Sequence, residues 1–563
     1  MDDIPNELLL HILADVSARD LLRCQQVSRK WKDVIYHASE LQYKIDLEKY
    51  GYKDDGASCI AQSSASSTTL HKMQEAWLRL GESPQARPRP PPITFSLPLL
   101  DWDINDDIHM RGHSLIREHH AVADDWDKTF DFFDLTDLTA AQNSDTTVPF
   151  RRLTYNPGEH NTHDSRWYYD PEQRLMVFVV ADDVAAVRNV TLHVLLLHDE
   201  HGTEDGNTAF MSYTLLNTFP VMEYLPMEGT TMSAPTTTIQ ISGEFLLLHR
   251  IVMSSNLARA RLQETSLAVC LWRSGEVLQR WVDNEDRVYV DGILARGEYL
   301  LMLHHDRFQS NPVTSETCCR LDVYLLRVNP PTGIDRCMLV STFELPSMNP
   351  LYMQISDVWE TSQRPRSLPF VHGRIQASLS SASGTPSPQD TLVLFNIWYY
   401  PQGVQVALFA PLSTLVRDAS KLHQLGPSSA SEPKKYPWST WGPHNTRCRI
   451  ISYPFLVNPG DLTSYPNGNP VYLSGFRALL HKGEGIMDFN PYNIFRFSSG
   501  EPLPAGSVLV ESSIHIMDSS LFKDRVTTSL PFLWIPLSAF AIPDDDPLIR
   551  WFFFQDAEGL KVR

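Results

Sequence analysis

DDIPNELLLHILADVSARDLLRCQQVSRKWKDVIYHASE, residues Asp2–Glu40, is a helical stretch with punctuation. Pro5 suits the first turn of a helix, where its missing N–H costs nothing. Leu8, Leu9, Ile12, Leu13 and Val16 then recur at steps of three and four, the apolar stripe of an amphipathic helix. Ser17 is a natural N-cap with Asp20 three residues on, an acidic variant of the capping box, and Leu21 and Leu22 form the apolar part of a short second helix. A third helix carries Val27, Trp31, Val34 and Ile35 on one face and Arg29, Lys30 and Lys32 on the other.

Three short helices make a thin module, because chains of about 40 residues rarely bury enough surface to be stable alone. This one carries more large apolar side chains than three helices can hide among themselves, so it predicts a partner surface. The partner is either another protein or the remainder of the same chain.

Ile4-Pro5, Glu7-Leu8-Leu9, Ile12-Leu13, Asp20-Leu21-Leu22 and Val27-Ser28-Arg29-Lys30-Trp31 resemble the F-box motif in order and spacing. The motif usually opens Leu-Pro, so Ile4 departs from it while keeping the apolar contact. The resemblance implies that Ile4, Pro5, Leu8, Leu9, Ile12, Leu13, Leu21, Leu22, Val27 and Trp31 bind the Skp-type adaptor of a cullin-based (SCF-type) ubiquitin ligase. The remainder of such a protein holds a target, here unidentified. Tyr50-Gly51-Tyr52, Trp77 and the β-rich remainder look like the large F-box proteins of mushroom-forming fungi.

The expected organisation is α + β and multidomain. Residues 1–45 form a three-helix F-box; 46–92 form a linker; 93–563 form an all-β domain that recognises the target. Within the linker, Ser58–Ser67 reads as a loop, residues 69–80 as a helix with Leu70, Met73, Trp77 and Leu80 in step, and Pro84–Pro92 as a stiff extended segment.

From about Arg174 short apolar runs alternate with turn residues: Leu175–Val180, Thr191–Leu197, Leu392–Trp398 and Val404–Phe409 are each of strand length. Gly243-Glu244-Phe245-Leu246-Leu247 recurs as Gly297-Glu298-Tyr299-Leu300-Leu301, and Leu267-Ala268-Val269 recurs as Leu321-Asp322-Val323. Both pairs share one offset, 297−243 = 321−267 = 54. A unit of this size, with a turn at Trp272-Arg273-Ser274-Gly275, fits a β-propeller blade. The β-rich part would hold roughly seven or eight such blades, a pair of β-sandwiches being the alternative. Phe532–Pro543 and Trp551–Phe554 read as the last strands, closing a ring against early ones.

Composition narrows the function classes. A formal net charge of -19 argues against binding nucleic acid or an anionic membrane surface. No apolar run is long enough to span a bilayer, and the acidic start is unlike a secretory leader. Cys24, Cys59, Cys270, Cys318, Cys319, Cys337 and Cys448 are scattered and odd in number, which reads as reduced thiols in an intracellular protein of the cytoplasm, the nucleus or both. Asn189-Val190-Thr191 is read as a chance glycosylation sequon in a strand.

Asp101–Asp145 is acidic and reads as a solvated face. His109 and His113 within it are four apart and would share a helix face, but no glutamate follows His109 and no cysteine is near, so no metal is expected. No nucleophile elbow, phosphate loop or zinc motif appears, and Asp182-Asp183 and Asp544-Asp545-Asp546 read as exposed turns. No cofactor and no catalysis are therefore expected. The readings that remain are a ligase receptor, a propeller scaffold whose F-box serves no ligase, and a propeller enzyme. Ser378–Gln389 and Pro427–Lys435 read as loops, the Thr385-Pro386 and Ser387-Pro388 pairs being loop chemistry. Tyr436, Trp438 and Trp441 sit beside Pro437, Gly442 and Pro443, which reads as a rigid loop offering aromatic anchors to a partner.

Overall fold

The computed structural model describes residues 5–50 except Asp15 and Ser17, nothing from 51 to 93, and from 94 onward the strands, helices and adjoining turns named below. The loop at 58–67, the linker helix, the proline-rich segment and Ser378–Gln389 lie outside the described residues, as do Ile4, His113 and Asp544–Asp546.

The N-terminal unit has four helices rather than the three expected: α1 (Asn6–Ala14), α2 (Ala18–Cys24), α3 (Arg29–His37) and α4 (Ser39–Tyr50). Ser28 caps α3, its hydroxyl accepting from the Trp31 N–H at 3.2 Å. The fourth helix is needed because three do not close the core: Leu41 and Ile45 of α4 complete a cluster with Leu9, Leu13, Leu21, Val34 and Ile35. Lys44 of α4 also donates to the Ala14 carbonyl at the end of α1, at 2.7 Å.

The remainder is mostly β. After a two-residue strand, β1 (Thr94–Phe95), comes a sheet built from two meanders. The first is β2 (Asp107–Arg111), β3 (Ser114–His119), β4 (Lys128–Asp134) and β5 (Phe150–Tyr155); the second is β6 (Trp167–Asp170), β7 (Leu175–Val184), β8 (Val187–Thr203) and β9 (Thr208–Tyr224). A short parallel contact between β5 and β9 joins them. An antiparallel sheet follows, β10 (Thr236–Ser242), β11 (Phe245–Val252), β12 (Glu264–Leu271) and β13 (Glu276–Asp283), then another, β14 (Val288–Arg296), β15 (Tyr299–Asp306), β16 (Cys319–Leu326) and β17 (Cys337–Glu344).

Next come β18 (Gly373–Ala377), β19 (Leu392–Tyr399) and β20 (Val404–Pro411), helices α5 (Leu412–Leu415) and α6 (Arg417–Leu425), β21 (Lys434–Tyr436), α7 (Trp438–Asn445) and β22 (Arg447–Ser452). β22 completes the sheet of β18–β20, and β21 adds in parallel to the edge of β17. The next group is β23 (Val471–Ser474), β24 (Arg477–Leu480), β25 (Gly485–Asp488), α8 (Pro491–Ser498), β26 (Val508–Val510), the hairpin β27 (Ile514–Ile516) and β28 (Val526–Thr528), and β29 (Phe532–Pro536). Its sheet runs β23-β24-β25-β29-β26. Finally β30 (Arg550–Phe553) and β31 (Gly559–Val562) form a hairpin, and β31 pairs in parallel with β1. The four helices α5–α8 qualify the all-β expectation.

Successive sheets pack face to face, and the two-residue period of a strand explains how. Phe245 and Leu247 of β11 face β14–β16, whereas Leu246 and Leu248 face β7 and β8. Leu301 and Leu303 of β15 face β19 and β20, whereas Leu300 and Met302 face β11 and β12. Val393 and Phe395 of β19 face β15 and β16, whereas Leu392 and Leu394 face β24 and β29. Both faces of these strands are buried, so their sequences are continuous apolar runs rather than alternating ones. The first strands touch in succession, β6 with β10, β10 with β14 and β14 with β18. Gln240 of β10 spans one such contact, donating to the Ile293 carbonyl at 2.9 Å and accepting from the Ala295 N–H at 2.8 Å.

The 54-residue repeat has a geometric basis. Gly243 and Gly297 turn β10 into β11 and β14 into β15 at φ 59° and 56°, the left-handed region that favours glycine. The Trp272 N–H donates to the Glu244 carbonyl, and 54 residues on, Leu326 does the same to Glu298.

Two expectations fail in the acidic segment. His109 lies on strand β2 rather than on a helix, and His113 is outside the described residues. Asp131 is not solvated but buried on β4. Asp182-Asp183 lie within β7 rather than in a turn, and Asn189 lies within β8. Among the described residues no helix is long and apolar enough to cross a membrane.

Candidate functional site

Leu8, Leu9 and Leu10 are consecutive, and a helix cannot turn three neighbours to one side. Leu9 goes inward with Leu13, one turn on, and both are 1% exposed. Leu8 and Ile12, also one turn apart, are left 56% and 54% exposed, and Val27 before α3 is 67% exposed. Pro5 is exposed, and Leu22 and Trp31 are half-buried against the helical core.

Of the ten residues expected to meet an adaptor, the nine that are described, all but Ile4, therefore divide. Leu9, Leu13 and Leu21 hold the unit together and have no surface to offer. Pro5, Leu8, Ile12 and Val27 offer apolar surface, with edges of Leu22 and Trp31. Sequence reasoning missed Leu10 and Tyr36, both exposed. The signal for Leu10 was the impossibility of hiding three leucines in a row; nothing marked Tyr36.

The aromatic loop is corrected. Lys434–Tyr436 is a strand and Trp438–Asn445 a helix that begins after Pro437, whose carbonyl accepts from the Thr440 N–H at 3.0 Å. Gly442 is required by packing, not by a turn: a Cβ there would lie 2.2 Å from the Trp438 ring. Trp441 is buried, with its indole donating to the Glu344 carbonyl at 2.8 Å. Tyr436 stacks on Phe343 and Trp438 packs edge-on against Trp441, both half-buried. The three aromatics do come together, as packing against the β14–β17 sheet. Trp441 is withdrawn as a partner anchor.

Two of the buried carboxylates, Asp131 and Asp322, are each met by a histidine. Asp131 is met by His119 Nε2 at 2.6 Å and by Arg152 Nε and Nη2 at 2.7 and 3.1 Å. Burial pushes its pKa up, but the His119 and Arg152 hydrogen bonds outweigh it and hold the group below the usual carboxylate range. Asp322 is similar: burial raises it, and His304 at 3.1 Å and Thr342 at 2.7 Å bring it down. Both carboxylates are thus anions neutralised by neighbours, suited to holding strands together. Among the described residues no group of three or more metal-ligating side chains assembles.

Residues 1–48 match the family model described as F-box-like, a span that takes in α1 to α3 and most of α4. Among curated proteins, none matches the chain. The solved structures it resembles include a Cellvibrio cellulosa α-L-arabinanase complexed with arabinohexaose, at 8% identity and TM-score 0.21, covering 54% of this chain and 90% of that one. They also include the polysaccharide lyase Uly1, at 9% identity and TM-score 0.27, covering 77% and 90%. A third is a Bombyx mori GH32 β-fructofuranosidase in complex with sucrose, at 10% identity and TM-score 0.19, covering 67% and 72%. Similarity at this level carries no argument about activity. The chain therefore has an F-box-like helical unit followed by a mostly β region.

Proposed function

We propose that this protein is the substrate-recognition subunit of a cullin-based, SCF-type ubiquitin ligase. The F-box-like helices bind the Skp-type adaptor, and the β region holds a target protein. The subunit is not itself an enzyme; it raises the effective concentration of a target lysine near the conjugating enzyme. The observation that carries this reading is the apolar surface of Leu8, Ile12 and Val27 on a helical unit whose own core is already filled. Such a surface has no use in water without a partner.

The β region is read as a β-propeller. Its described strands group into roughly seven consecutive sets when the two meanders of the first sheet are counted separately and the β1-β31-β30 sheet is the last. The face-to-face packing of successive sheets and the contacts between their first strands support a radial arrangement.

The test is calorimetric titration of the full chain with a purified Skp-type adaptor. Burying a side chain such as Leu8 or Ile12 contributes about 1.5–3 kcal/mol. The Leu8→Ala, Ile12→Ala double variant should therefore bind at least about tenfold more weakly while keeping its helical signal. Unchanged affinity in that folded variant removes the adaptor reading. Adaptor binding without ubiquitination of any bound protein favours the scaffold reading instead.

A further inference from the structure

Among the described residues the largest fully buried side chain is not apolar but an arginine: Arg447 of β22 is 1% exposed. It stands across from Phe409 of β20, at the aromatic cluster of Phe409, Phe489 and Phe532 between two sheets. Its Cζ lies 4.8 Å from the centre of the Phe532 ring, and its Nη1 donates to the Ser512 carbonyl at 3.0 Å. Nε and Nη2 are buried as well and have no hydrogen-bond partner. Among the described residues no carboxylate pairs with them, and Glu511, next to Ser512, is exposed.

A buried cation without a counter-charge is among the costliest groups a fold can hold. Burial pushes the Arg447 pKa down to about 10, which still leaves the group charged at neutral pH. The residues on either side hold it in place. The Thr446 carbonyl accepts from the Leu530 N–H at 2.9 Å, and the Cys448 N–H donates to the Thr528 hydroxyl at 3.1 Å. The unpartnered donors also have a particular geometry. Nε–H and one N–H of Nη2 run parallel along one edge of the guanidinium plane, the fork that receives two oxygens of a carboxylate or a phosphate. Residues 511–513, which join β26 to β27 and cap Nη1, are exposed, so the guanidinium lies directly beneath a surface segment.

We propose that the Nε–Nη2 edge of Arg447 is a binding site for a small oxyanion, which enters beneath residues 511–513 and is held by two parallel hydrogen bonds. Phosphate and a small carboxylate share this chemistry. The bound anion neutralises the buried guanidinium and so fastens β22 to the segment that joins β26 and β27. This site is independent of the helical unit, and its test contains no adaptor.

The test is equilibrium dialysis of the full chain against radiolabelled phosphate at constant ionic strength. A chain of net charge -19 repels free anions, so retained phosphate reports a specific site. The parent should retain one phosphate per chain. Arg447→Lys keeps the charge but loses the fork, and should bind at least about tenfold more weakly. Acetate should compete, whereas equimolar chloride, a single atom, should not; acetate binding tighter than phosphate makes the natural ligand a carboxylate. Phosphate should also raise the thermal midpoint of the parent more than that of Arg447→Met, whose rise reports only the general effect of an excluded salt. Should neither variant fold, hydrogen exchange on the parent decides. Phosphate should slow exchange across β22 and residues 511–516, and chloride at the same ionic strength should not. No retention of phosphate or acetate leaves the fork to water and overturns the proposal. Equal binding by Arg447→Lys, displacement by equimolar chloride, equal midpoint rises in parent and Arg447→Met, or equal protection with chloride each overturn it as well.

Discussion

Gly243 and Gly297 occupy equivalent turns at positive φ, and a Cβ on either would meet nothing within 4 Å. Alanine at each is therefore expected to cost about 1 kcal/mol, from backbone conformation alone. Gly275 has φ 71° and, in addition, a Cβ there would lie 3.0 Å from Asn217 Nδ2 and 3.2 Å from the Phe219 ring. Gly275→Ala should cost more than the other two, and chemical denaturation of the three variants checks the order. Asp131 makes a second prediction at this scale. Its pKa is depressed in the folded chain, so the stability it contributes is present above about pH 4, the unfolded value, and is lost as pH falls through the folded one. The thermal midpoint of the parent should thus fall more steeply below about pH 4 than that of Asp131→Asn, which starts lower at neutral pH. Equal slopes would mean that the His119 and Arg152 hydrogen bonds do not favour the ionised form. Nothing local in the sequence marks Asp131 as buried: its segment is rich in aspartates, and what distinguishes it are partners from other strands, His119 and Arg152.

At the scale of elements, periodicity located the first three helices but did not assign their faces. Leu8 and Leu9 both fit an apolar stripe, and only the packing of Leu41 and Ile45 from α4 decides that Leu9 is core. The difference is measurable. Leu9→Ala should destabilise the helical unit by about 2–5 kcal/mol, whereas Leu8→Ala should change it by no more than about 0.5 kcal/mol. Amide hydrogen exchange over α1–α4 separates the two, and comparable exchange in both variants would contradict the assignment of faces. The 54-residue repeat was legible because its turns demand glycine and its strands demand apolar residues on both faces, two requirements that survive in sequence. The region around Trp438 and Trp441 was misread for the opposite reason. Pro437, Gly442 and Pro443 usually interrupt helices, yet Pro437 precedes this one, Gly442 makes room for a ring, and Pro443 falls in its final turn. Tertiary packing of Trp441 on Phe343 and of Trp438 on Trp441 outweighs local propensity there.

At the scale of the molecule, the strand that begins the β region and the hairpin near the end of the chain belong to one sheet. Thr94 and Phe95 pair with Lys561 and Val562, and β31 pairs in turn with β30. The apolar run Trp551–Phe554 signalled a strand, but a two-residue strand such as β1 has no periodicity to read, so its pairing could come only from the fold. In an open stack of sheets, deleting the last strands frays one end and leaves the others intact. In a closed ring the same deletion removes the sheet that joins first to last, exposing a sheet face and strand edges on both sides of the gap. The propeller reading therefore predicts that a chain lacking residues 550–563 loses protection from hydrogen exchange in β2–β5 and β23–β29 together, although these strands lie far apart in sequence. Its thermal midpoint should fall by several degrees. Loss of protection confined to β23–β29, with β2–β5 unaffected, would fit a stack and would count against a ring. Simultaneous loss at both ends is hard to produce otherwise, because apart from β1 and β31 nothing in the chain order brings those strands to a common seam.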